Sequence, residues 1–198
     1  MRDDRISAAL PEDRDGFRFR GGSSALDLAA TLQARLKPSP RELLATPQDL
    51  GRWLVSARLA TSAPVTNEAD LEIARALREA IYTVASSLDA HPLDAGACDA
   101  LNRIAAGAPA IPVLKPEGCV ALEGSPKALL ASLAREAVHL FGGENAQRVR
   151  QCQSPSCTIF FVDTSRSGHR RWCSMAACGN KAKVAALRRR QRGKVVGD

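Results

Sequence analysis

Apolar side chains recur along this chain mostly at helical spacing. Leu71, Ala74, Leu77, Ile81, Val84 and Leu88 mark one face of a segment whose opposite face carries Glu72, Arg75, Arg78 and Glu79, with Asn67 placed to cap its start. That segment is the predicted central packing helix. Thr46-Pro47-Gln48-Asp49 opens another, with Thr46 at the N-cap and Pro47 at the first helical position, before Leu50, Trp53 and Leu54. Ser24 heads a third, in which Leu28, Leu32 and Leu36 recur every four residues until Pro38 and Pro40 stop it. DAGACDALNRIAAG predicts a shorter helix ending at Gly107, and Ser125-Pro126 opens one whose Leu130, Leu133, Ala137, Val138 and Phe141 face inward up to Gly142-Gly143.

Two stretches break the helical period. FRFRGG alternates Phe17 and Phe19 with arginines like a short edge strand, and its glycine pair reads as a turn, since neither phosphate-loop pattern surrounds it. IPVLKPEGCVALEG places β-branched residues and leucines on both sides of Lys115-Pro116-Glu117-Gly118, which predicts a β-hairpin. The expected architecture is mainly α: a charged arm over 1–20, a multi-helical domain with one hairpin over 21–146, and a small separate module over 147–198 to which it is tethered.

Charge separates the two modules. The 198 residues carry a net +7, yet residues 1–146 hold 16 Lys/Arg against 19 Asp/Glu, and residues 147–198 hold 12 against 2. One-sided charge on this scale points to a polyanion, nucleic acid before anionic membrane. No apolar run approaches 18 residues and the first 16 are charged throughout, so neither a membrane span nor an apolar signal core is expected and the reading is cytoplasmic. In a reducing cytoplasm six cysteines need a role other than disulfides. Cys98 and Cys119 stand alone and read as small buried apolar residues.

The other four are patterned: Cys152-x4-Cys157, 15 intervening residues, then Cys173-x4-Cys178. Each pair can close a tight knuckle, and two knuckles supply the four thiolates of a tetrahedral zinc site. About 50 residues cannot build a stable core unaided, so one zinc ion per chain would have a structural role. Four sulfurs leave no open position for catalysis, and His169, between two arginines, is set aside as a ligand. Ile159-Phe160-Phe161-Val162 reads as a strand that, with Trp172, forms a mini-core over the metal.

Beyond the last cysteine, residues 180–192 are good helix formers. At 100° per residue Val184 and Leu187 share a face, expected to dock on the knuckle. Lys181, Arg188 and Arg192 lie on one flank of that strip and Lys183 and Arg190 on the other, with Arg189 among them. Arg166, Arg170 and Arg171 would be drawn into the same field by the metal. These nine are the candidate phosphate contacts.

WCSMAACGNKAKVAALRRR, with CQSPSCTIFFVDTSRSGHRRW before it, resembles the CGNR-type zinc finger. FRGGSSALDLAATLQARL followed by LLATPQDLGRWLVSARL is similar to the opening of the ABATE domain that precedes this finger in bacterial stress-induced transcription regulators. The resemblance implies a helical N-terminal domain with a hairpin and a DNA-binding module whose metal ligands are the four paired cysteines. Its signature tetrad falls on Cys178, Gly179, Asn180 and Lys181, with lysine where the family has arginine; Ala30-Thr31 stands where it has Asn-Thr. A lysine keeps the charge and loses the two-pronged donor.

The functional expectation is a zinc-dependent DNA-binding transcriptional regulator, its helical domain serving a small-molecule effector or a homodimer. RNA or ribosome binding is the first rival. An enzyme in the helical domain is the second, against which no Ser-His-Asp set, zinc-protease motif or phosphate loop appears, and His91 and His139 have no evident partner.

Overall fold

The computed structural model describes residues 12–90 and 92–195, without the side chains of Arg190 and of 192–195. Most of the arm and His91 lie outside these residues. Strands β1 (Asp13–Arg14) and β2 (Phe17–Arg18) form a tight hairpin that buries Phe17. Phe19 stacks on Trp53 with 6.4 Å between ring centroids, and the Arg14 guanidinium lies over the Phe19 ring at 3.7 Å. Two aromatic rings thus anchor this hairpin to the helical core.

Helix α1 spans only Ser24–Ala29. The chain then pairs β3 (Leu32–Gln33) with β4 (Arg41–Glu42), passing through Ala34 at φ 54°, so the expected continuation to Pro38 does not form. The Thr31 hydroxyl donates to the Leu28 carbonyl at 2.7 Å, a local bond that competes with the helical ladder. Leu36 is 78% exposed, which leaves the four-residue leucine spacing without a core to serve.

The capping signals elsewhere act as expected. Reciprocal capping boxes start α2 (Pro47–Ser56) at Thr46 with Asp49, and α3 (Glu68–Ser86) at Asn67 with Asp70. Asp94 and Ser125 accept the backbone N–H groups that open α4 (Ala95–Ala105) and α5 (Pro126–Gly142). Helices α3, α4 and α5 pack on one another, with α1 laid against α3 and α5 and with α2 on α3. Leu26, Leu28, Leu50, Trp53, Leu54, Leu77, Ile81 and Leu130 are fully shielded from water in the core they share. Each such side chain contributes about 1.5–3 kcal/mol of burial.

The predicted hairpin is β5 (Ile111–Leu114) with β6 (Val120–Glu123), turning through Gly118 at φ 76°. Cys119 at its tip is exposed, contrary to the buried role expected of it, and Cys98 is half-buried.

The largest departure concerns the link between the modules. Strands β7 (Val149–Gln151) and β8 (Phe160–Val162) pair antiparallel, and Val149, Phe160 and Val162 are buried in the same core as the helices. Phe160 meets Tyr82 of α3 edge to face at 5.4 Å, and the Val162 N–H donates to the Gly21 carbonyl at 2.8 Å. A tether would leave these apolar side chains in water; a joint core removes them from it.

Candidate metal centre and nucleic-acid interface

The first knuckle grows out of the β7/β8 pair. Cys152 N–H donates to the Ile159 carbonyl at 2.9 Å, and Cys157 N–H closes the turn on Ser154 at the same distance. The second begins at Cys173. Ser174 accepts the Ala177 N–H and starts a single wide turn, Met175–Gly179, in which the Gly179 N–H reaches back five residues to Ser174. This turn carries Cys178 and runs straight into α6 (Asn180–Val195). Gln153 N–H to the Arg171 carbonyl, 2.9 Å, and Cys173 N–H to the Cys152 sulfur, 3.4 Å, lace the two knuckles together.

The four sulfurs converge within 4.8 Å of one another. Cys157 and Cys173 stand 3.8 Å apart and Cys173 and Cys178 3.7 Å. A tetrahedron with zinc–sulfur bonds of about 2.3 Å has edges of about 3.8 Å, whereas a disulfide needs about 2.05 Å. Crowded thiols cannot all ionise alone. Hydrogen bonds from Cys157 and Cys173 hold Cys152 far below the ordinary thiol range, and bonding to that sulfur pushes Cys157 and Cys173 up. A bound dication offsets this repulsion, so the donor set, its spacing and its electrostatics all fit one structural zinc ion. His169 is exposed and is not among the clustered groups.

Around the sulfurs Ile159, Phe161 and Trp172 form a mini-core without Phe160 and Val162, which were expected in it and face the helical core instead, and Ala30 joins from the end of α1. No signal in the chain's pattern marks this contact. Ala30 lies 6% exposed beside the metal cysteines.

The signature tetrad has a physical reading residue by residue. Cys178 is a ligand. A side chain at Gly179 would come within 3.0 Å of Met175 and 3.3 Å of Trp172. The Asn180 amide donates to the Ala176 carbonyl at 3.0 Å, tying the wide turn to the first turn of the helix. Lys181 is exposed.

The candidate cations divide into two groups. Arg170 points inward: its guanidinium donates to the carbonyls of Trp172, at 2.8 Å, and of Cys173, and lies 4.8 Å over the Phe161 ring. Its Nε and one terminal nitrogen are thereby engaged with the zinc loop. Asp163, which sequence reading passed over, is 1% exposed and accepts the N–H groups of Ser165 and Arg170 at 2.9 and 2.8 Å. Hydrogen bonding from Ser165 holds its carboxyl below the usual range, and the 164–170 loop folds around it.

Arg166, Arg171, Lys181, Lys183, Arg188 and Arg189 are all exposed, Arg171 lying over Trp172 and bonded through Nε to Gln153 at 2.7 Å. The side chains of Arg190 and Arg192 lie outside the described residues. Among the described side chains of α6 the half-buried ones are Ala182 and Ala186, while Val184 and Leu187 are 47% and 56% exposed. The apolar strip is thus left open to solvent instead of being buried on the knuckle as expected.

No helix among the described residues is long and apolar enough to cross a membrane. No curated protein matches the chain. Residues 148–191 match the family model of the CGNR zinc finger, and residues 22–144 match that of ABATE, described as "Putative stress-induced transcription regulator". With the helical core, the shared interface and the four-cysteine centre in these two stretches, the chain belongs to the ABATE family and carries a CGNR zinc finger after its ABATE domain.

Proposed function

We propose that this chain is a transcriptional regulator that binds duplex DNA through its zinc module and catalyses no reaction. The observation that carries this reading is α6, a helix of 16 residues with a ring of exposed cations, launched from a zinc ligand. A helix held at one end by a metal keeps its direction in solution, and a fixed row of charges meets a regular polyphosphate at little entropic cost. The family description, a regulator of transcription, agrees with it. The helical domain would then receive a small-molecule effector or a second copy, in a bacterial cytoplasm.

The test is a salt titration of the zinc-loaded chain against mixed-sequence duplex DNA. About five phosphate contacts give a log–log slope of about −4 to −5. Absence of binding at low salt sinks the reading. Equal or tighter binding to structured RNA would instead assign the same cations to an RNA partner.

A further inference from the structure

The outward turn of Val184 and Leu187 is the feature that a phosphate-binding helix does not need. On the helical wheel Leu187 and Val184 stand about 60° apart at the crest of α6, opposite Ala182 and Ala186. Lys183 follows about 40° beyond Leu187 on one side; Arg188 and then Lys181 follow about 40–60° beyond Val184 on the other. The crest therefore carries two apolar side chains, with the amides of Asn180 and Gln191 between them on the wheel, and a cationic flank on each side. Solvated basic helices have no reason to hold two branched apolar residues at their crest.

Resting on the reading of this module as a DNA binder, we propose that α6 is a recognition helix that enters the major groove of B-DNA. Val184 and Leu187 meet thymine C5-methyl groups on the groove floor, Lys181 and Arg188 contact one phosphate strand, and Lys183 contacts the other. A helix about 10–12 Å across fits a major groove about 12 Å wide. The thymine methyl is the apolar group presented there, and it matches the two apolar side chains in chemistry. Two phosphate backbones match two cationic flanks. A protein groove would call for apolar anchors over several turns, and this crest has two. The A-form major groove of RNA is too deep and narrow to admit the helix.

The experiment starts from duplexes enriched out of a random library by the full-length, zinc-loaded chain. The best of them is resynthesised with deoxyuridine in place of thymine, which removes the methyl groups and leaves all base pairing intact. Replacement should weaken binding about fourfold for one methyl contact and about fifteenfold for two. The double variant Val184→Ser/Leu187→Ser should bind both duplexes alike with an unchanged salt slope, since both residues are exposed and the cations stay in place. Zinc content and the circular dichroism of the variant establish that it is folded. Equal affinity of the parent chain for thymine and deoxyuridine duplexes overturns the inference while leaving DNA binding intact, as does a variant that keeps the discrimination. Failure to enrich or bind any duplex overturns the DNA reading itself.

Discussion

Asp27 is 7% exposed and sits where the two modules meet, accepting the Gly21 N–H at 2.7 Å while the Gly21 carbonyl receives β8. Burial, opposed by hydrogen bonds from the backbone of Gly21 and Arg20, raises its pKa from 3.8 to about 7. Between these values the folded state holds a proton that the unfolded chain has released, so this group's contribution to stability falls as pH rises from about 4 to about 7. Asp27→Asn should abolish that fall, at most about 1.4 kcal/mol per pH unit. Urea denaturation of both proteins at pH 5 and pH 8 isolates it from the cysteines, whose protonation pushes the other way; an identical pH difference in the two would refute the assignment. Arg170 yields a second prediction. Arg170→Lys keeps the charge but loses the fork that holds two carbonyls, so zinc affinity should drop while the salt slope of DNA binding stays the same. Zinc affinity unchanged by the substitution would refute this role.

Among the elements, those legible in the sequence were the ones whose start is decided locally. Thr46, Asn67 and Ser125 satisfy orphan N–H groups of their own helices, and Gly118 answers its own turn, so pattern and structure coincide there. The cysteine spacing was legible for the same reason, since a knuckle closes over six residues. Helix α1 and the exposure of the apolar strip on α6 were not. Which way Leu32 points depends on surfaces more than a hundred residues away, and whether Val184 and Leu187 find a core depends on what the fold sets beside them, and periodicity carries neither. The inward Arg170 was missed because a carbonyl acceptor leaves no mark in the sequence. For α6 the flanks can be tested apart from the crest. Lys181→Ala with Arg188→Ala should flatten the salt slope by about two units and weaken all duplexes alike. Loss confined to one preferred sequence would place these residues on base edges instead.

At the scale of the molecule, Val149, Phe160 and Val162 belong to the core of the helical domain while Ala30 belongs to that of the zinc centre. Zinc removal by a chelator should accordingly lower the melting temperature of the helical signal of the whole chain in one transition, and residues 1–146 produced alone should bind a hydrophobic dye. A helical domain that melts at the same temperature with and without metal would restore the picture of two tethered units. The shared core also has a consequence for inheritance. Exchanging fingers among regulators by recombination works where a linker is the point of exchange, but here a transplanted finger would arrive with Phe160 bare and leave a hollow beside Tyr82. Gene fusion at this boundary is therefore penalised from both sides, and the two halves are bound to descend together, each changing its facing residues only in step with the other.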